Sequence, residues 1–212
     1  MLTFLQKRRT WVAFVAVVLG TFPAHADRPT KARDNLSPRL FPMKVGHKWV
    51  YAFEDKEVTF EVLRTEKVGG EEIFVVRRTI GKGAVEFRLS VEEDGVYIHR
   101  ESKKEFHPPL RQFAFFARTG DQWKWRGTVA GKLQTEEFEN LGVEEITVPA
   151  GTYRTISVHQ RNPANGDQAT FWLAEGVGVV KLSGKSEVLP GDPRGGKVIF
   201  EWRLKRFDPK PR

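Results

Sequence analysis

The sequence predicts an all-β protein, a single curved antiparallel sheet forming a half-barrel or open barrel of about 11 strands. Two patterns and one absence carry this. Hydrophobic and polar residues alternate with period two through most of the chain, the mark of strands with one buried face. Turn dipeptides rich in Gly, Asn and Asp recur at spacings of about ten residues, as antiparallel hairpins require. No stretch beyond the first 40 residues keeps a helical apolar stripe for three turns.

The elements follow in order. Trp49, Tyr51 and Phe53 share one face, as do Val58, Phe60 and Val62. Gly69-Gly70 separates the second strand from a third over 71–80, and Gly81-Lys82-Gly83 the third from a fourth. In the fourth, Val85, Phe87, Leu89 and Val91 alternate with Glu86, Arg88, Ser90 and Glu92. Asp94-Gly95 opens the fifth, over 96–102. Further strands are expected over 121–129, 132–148 (with a break near Asn140–Gly142), 152–161, 168–175, 177–183 and 197–207, with turns at Asn165-Gly166 and Gly195-Gly196.

Segment 103–118 (KKEFHPPLRQFAFFAR) lacks alternation. It reads as a short helix or loop plugging the core, or as a lid over an apolar cavity. Its Phe106, Leu110, Phe113, Phe115 and Phe116 form, with Trp49, Tyr51, Trp123 and Trp125, the candidate apolar ligand or lid surface. The Trp and Tyr residues double as core anchors, because aromatic side chains on a sheet face are most often used for packing.

The chain also matches itself. Phe41 to Tyr51 and Phe115 to Trp125 both read F-x-x-[KR]-x-G-x-x-W-x-[YW], at a constant offset of 74. Glu71-Glu72-Ile73 answers Glu144-Glu145-Ile146. Two duplicated halves, 41–112 and 113–207, are expected to form one β domain over 41–207, since neither half alone buries a sizeable core.

Flanking segments carry an address. Residues 1–26 read as a secretory signal peptide: Lys7, Arg8 and Arg9 precede an apolar run Trp11–Leu19, and Ala24-His25-Ala26 is a cleavage site. Residues 27–40 read as a flexible leader and 208–212 as a basic tail. Removing three basic residues with the signal lowers the net charge from +8 to +5. That excess is modest and spread along the strands, so a dedicated nucleic-acid binder is not indicated. No transmembrane segment is expected after cleavage. The location implied is exported, periplasmic or extracellular.

Catalytic patterns are missing. The chain has no cysteine, which excludes thiol nucleophiles and Cys-ligated metals. Gly178 to Ser186 mimics a phosphate-binding loop with the wrong spacing. His47, His99, His107 and His159 show no metal-ligand spacing. The carboxylate doublets Glu71-Glu72, Glu92-Glu93, Glu136-Glu137 and Glu144-Glu145 place neighbours on opposite strand faces. Neither catalytic, cofactor-binding nor metal residues are assigned.

Phe41-Pro42, Gly46, Trp49 and Tyr51, then Val148-Pro149-Ala150-Gly151-Thr152-Tyr153, then Trp172, Ala174 and Gly176-Val177-Gly178 with Val180-Lys181 together resemble secreted bacterial envelope proteins of the TapB type, over about 41–207. The architecture is more distantly similar to the half-barrel of the periplasmic lipoprotein carriers LolA and LolB. The resemblance implies an exported envelope protein with structural motifs and no chemistry of its own. The reading is therefore a non-catalytic protein holding a lipid, acyl chain or lipoprotein in a concave apolar face. The alternatives are an envelope protein-interaction or scaffolding module, and a hydrolase.

Overall fold

The computed structural model describes residues 35–187 and 197–209. Twelve strands follow one another as an up-and-down meander: β1 Lys48–Phe53, β2 Lys56–Val68, β3 Glu71–Ile80, β4 Gly83–Val91, β5 Gly95–Glu101, β6 Lys104–Ala114, β7 Gln122–Val129, β8 Lys132–Val148, β9 Gly151–Arg161, β10 Gln168–Ala174, β11 Gly178–Glu187 and β12 Lys197–Asp208. Every sequential pair is antiparallel, and β12 returns to pair with β1. The only helical turn among the described residues is a 3₁₀ turn, Pro38–Leu40. None of their helices is long and apolar enough to cross a membrane.

Two expectations are corrected. The sheet is a closed barrel of twelve strands, not a half-barrel or open barrel of eleven. Closure is made by Trp49 opposite Phe207 and Tyr51 opposite Leu204, with a bulge between them. Period-two alternation is the same in an open and a closed sheet, so nothing local announces this pairing. The expected plug is also absent: Lys104–Ala114 is the strand β6. Pro108 and Pro109 hid it, since proline cannot donate to a ladder and is normally confined to edges and bulges. Here it sits at a seam. β6 and β7 pair only at Phe106 opposite Val129 and His107 opposite Thr128.

Side chains close the seam where the ladder stops. The indole N–H of Trp125 donates to the Pro108 carbonyl at 3.1 Å, and that of Trp123 to the Arg111 carbonyl at 3.2 Å. Gly127 has no room for a side chain: a Cβ there would lie 2.4 Å from the Trp125 ring and 2.5 Å from the His107 carbonyl oxygen.

Both copies of the F-x-x-[KR]-x-G motif fold alike. Gly46 and Gly120 both have φ of 86°, a left-handed conformation that glycine adopts without strain. The Gly46 N–H donates to the Val62 carbonyl, and the Val62 N–H to the His47 carbonyl. Gly120 makes the same reciprocal pair with Asn140 and Asp121. β2 and β8 each carry a bulge beside that pair, at Val62/Arg64 and at Asn140/Gly142. The expected break in β8 is this bulge, within one continuous strand.

Residues 36–47 run across one end of the ring. Leu36 exchanges backbone hydrogen bonds with the β6–β7 connection at Phe116 and Ala117, the Arg39 carbonyl accepts from Gly176 after β10, and Gly46 reaches β2. Leu36 and Leu40 are buried, so this part of the expected leader is packed. The expected signal peptide over 1–26, residues 27–34, the expected turn at Gly195-Gly196 and residues 210–212 lie outside the described residues.

Candidate functional site

Inward-facing residues normally fill a small barrel, whereas wider barrels leave space. Here Phe60, Phe87, Leu89 and Phe171 point inward yet are only partly buried. They face a cavity of about 720 Å³, inside the ~300–1,000 Å³ range of ordinary ligand pockets.

The cavity has two ends of different chemistry. Its floor is apolar: Phe41, Pro42 and Met43 of the crossing segment, with Trp49, Tyr51, Leu89, Val96, Phe113, Phe171 and Val179. Phe41 packs on Phe113 and Phe115, with ring centroids 4.7 and 5.8 Å away. At the opposite end, where β3, β5, β7, β9 and β11 finish, the lining turns polar: Arg78, Glu101, Lys104, Lys132, Gln134, Glu136, Gln160, Asn162 and Asp167. Lys104 and Lys132 are exposed to solvent, which marks this end as the mouth.

Of the candidate apolar residues, the structure brings Trp49, Tyr51, Phe106, Leu110 and Phe113 to the cavity wall. Trp49 sends a polar atom to the β10–β11 turn and Tyr51 sends one to β11. The indole N–H donates to the Val177 carbonyl at 2.6 Å and the phenol to the Val179 carbonyl at 2.7 Å. Burial raises the Tyr51 phenol far above its ordinary value, so it stays protonated as the donor. Trp123 and Trp125 are buried at the seam, Trp123 stacked on Phe138. Phe115 is buried against Phe41, outside the lining, and Phe116 is exposed.

Sequence reasoning missed the polar half of the cavity. Arg78 is one inward residue among the alternating positions of β3, where a charge on the buried face is the signal. Its guanidinium lies over the rings of Phe87 and Trp202, at 5.1 and 5.8 Å. Glu101 stands 3.6 Å away. Burial pulls the guanidinium below its ordinary value and Glu101 acts against that; arginine remains charged nonetheless. On another part of the wall, Glu136 accepts from Gln160 Nε2 at 3.1 Å and Asn162 Nδ2 at 2.9 Å. Burial raises its carboxyl above the ordinary value, the two amides oppose this, and nearby Asp167 adds to it.

The histidines do not gather in the cavity. His47 donates from Nδ1 to the Pro42 carbonyl at 2.6 Å and packs edge-on against Phe207. His107 lies beside Glu105, and His159 Nδ1 beside the Thr170 hydroxyl. On the outer wall, His99 does meet Glu71 and Glu92, their ligand atoms all within 4.8 Å. This cluster draws on β3, β5 and the β4–β5 turn, so no sequence spacing reveals it. The Ser90 hydroxyl donates to Glu92 Oε1 at 2.6 Å, leaving its oxygen to accept from His99 Nε2 at 2.9 Å. With its one proton committed to Glu92, Ser90 is not held as a nucleophile by a histidine base.

No family model and no curated protein matches the chain. Two solved structures overlap it loosely. One is a candidate lipoprotein from Parabacteroides distasonis ATCC 8503, 15% identical, covering 80% of this chain and 98% of its own, with a TM-score of 0.40. The other is a candidate exported protein with a YmcC-like fold from Bacteroides fragilis NCTC 9343, 13% identical, covering 79% and 98%, with a TM-score of 0.41. Overlaps this loose carry no argument about what this chain does. The architectural likeness to LolA and LolB rested on an open half-barrel, and closure removes that ground.

Proposed function

We infer that this chain is an exported cell-envelope protein that acts by binding, and that its barrel lumen holds the acyl part of a lipid or of a lipidated partner. One observation carries the reading: a cavity of about 720 Å³ with an apolar floor and a polar mouth open to solvent. An acyl chain lying on that floor gains about 0.8 kcal/mol for each methylene removed from water. The floor needs no charged group to hold it. The signal-peptide reading of residues 1–26 supplies the location.

The alternatives have less support. A scaffold working by edge-strand addition needs a free edge; the ring closes on itself, and at its weakest join, β6 beside β7, the Trp125 and Trp123 indoles already take the Pro108 and Arg111 carbonyls. A hydrolase needs a nucleophile or a facing acid and base. The carboxylates at the mouth are instead engaged, Glu136 by two amides and Glu101 by Arg78.

Native mass spectrometry of residues 27–212, exported by a bacterial host and never unfolded, tests the reading. The expected result is a discrete mass excess that extracts into organic solvent as lipid. A clean protein mass that stays unchanged when long-chain acyl compounds are added would overturn it.

A further inference from the structure

The wall near the mouth holds two hydrogen-bond donors that no acceptor meets. Arg78 presents five N–H groups, and its side chain is only 9% exposed. Its one carboxylate neighbour, Glu101, is at 3.6 Å, beyond hydrogen-bond length. Beside it, the indole N–H of Trp202 is the one buried side-chain polar atom with no partner among the described residues. Buried polar groups are nearly always paired, so two underused donors in one wall call for an explanation. The carboxylates nearby are not in the same condition. Glu136 is served by two amides, and Asp167 accepts from the Asn165 side chain and its own turn is closed by that residue's oxygen. Glu101 is the one carboxylate that faces Arg78, and it stands too far away to accept a hydrogen bond from it.

Resting on the lumen reading above, we propose that the occupant is a single-tailed amphiphile with an anionic head, carboxylate or phosphate, whose tail lies on the Phe41–Phe113 floor and whose head is received by Arg78, which lies over Phe87 and Trp202. The fork of a guanidinium matches both oxyanions and donates two parallel hydrogen bonds to their oxygens. The two rings hold the guanidinium from behind without using its N–H groups. Glu101 is the resident competitor. It keeps the cation paired in the empty barrel and is displaced towards solvent, where its side chain is already 30% exposed, when a ligand head arrives.

Three probes with one C16 tail separate head from tail: palmitate, hexadecyl phosphate and hexadecanol, titrated into the exported chain and followed by tryptophan fluorescence. One or both anions are expected to bind about 10–100-fold more tightly than hexadecanol, the range of a charge-assisted hydrogen bond. Which anion leads identifies the head. Arg78→Leu should bring all three to the alcohol's affinity, and Arg78→Lys should retain part of the preference. Glu101→Gln should tighten the anions and leave hexadecanol unchanged. Equal binding of all three by the unaltered protein, or a preference that survives Arg78→Leu, overturns the proposal while sparing the lumen reading. Failure of all three to bind sinks both. Should Arg78→Leu lose hexadecanol as well, its lumen has collapsed, and the opposite-signed Glu101→Gln result decides.

Discussion

At the scale of single residues, the informative positions are polar groups placed where alternation predicts none. Asn140 is fully buried in β8. Its Nδ2 donates to the Ala117 carbonyl at 2.9 Å and its Oδ1 accepts from the Gly142 N–H at 2.9 Å, which fixes the bulge and ties β8 to the β6–β7 connection. Asn140→Ala would take its partner from the Gly142 N–H and leave the Ala117 carbonyl with the Leu36 N–H alone, at a cost of about 1–3 kcal/mol, read as a fall in the urea midpoint. His99 gives a pH signature. Burial lowers its pKa from 6.5, with Glu71 and Glu92 opposing. A histidine held neutral in the fold stabilises it above that ordinary value, and the contribution is lost as pH falls through it. Glu136 runs the other way: its raised pKa removes stability as pH climbs above 4.5. Only differences between variants isolate each group. His99→Gln should flatten the decline in urea midpoint between pH 7 and pH 5, and an unchanged slope would show that His99 is not the group responsible.

At the scale of elements, the strands were legible wherever alternation was intact. β3, β7 and β8 lie within a residue or so of their expected bounds. β7 shows why: Trp123, Trp125, Gly127 and Val129 are covered while Gln122, Lys124 and Arg126 are exposed. β6 was illegible because its two prolines break the ladder and its apolar residues serve two surfaces, with Leu110 and Phe113 on the cavity and Ala114 at the turn. The crossing segment was illegible for another reason. Asn35 to Leu40 is short and polar by composition, and tertiary contacts hold it: the burial of Leu36 and Leu40 and the backbone hydrogen bonds of Leu36 and Arg39. The seam where β6 meets β7 makes an element-level prediction. Trp125→Phe keeps the ring edge-on to Phe106 but removes the donor to the Pro108 carbonyl. It should cost about 1–3 kcal/mol, whereas Trp125→Ala should cost about 3–5 kcal/mol by emptying the site as well. Equal losses for the two would mean that the ring alone matters at this position.

At the scale of the whole molecule, a closed ring is held by all its ladders in series, so it opens where pairing is shortest. The β8–β9 ladder pairs continuously from Glu137–Arg161 to Val148–Gly151 apart from one bulge, while β6 and β7 share two pairs. Regions with few backbone hydrogen bonds open first and exchange their amide hydrogens fastest. The seam amides of β6 and β7 should therefore exchange well ahead of those in β8 and β9. The seam also touches the cavity, since Phe106, Leu110 and Phe113 of β6 and Val129 of β7 line it. A ligand that binds only the closed lumen stabilises closure by mass action. Adding a C16 amphiphile should then slow exchange at the seam more than in the outer turns of the β8–β9 hairpin, whose tip is docked on β12 through the Ala150 N–H and the Leu204 carbonyl. Uniform slowing across all twelve strands would instead place the ligand's effect on global unfolding. No slowing at saturating ligand would put the occupant outside the lumen. The hidden strand and the hidden cavity are linked in this way: the prolines that disguise β6 in the sequence are also what leave the barrel wall next to the lumen short of hydrogen bonds.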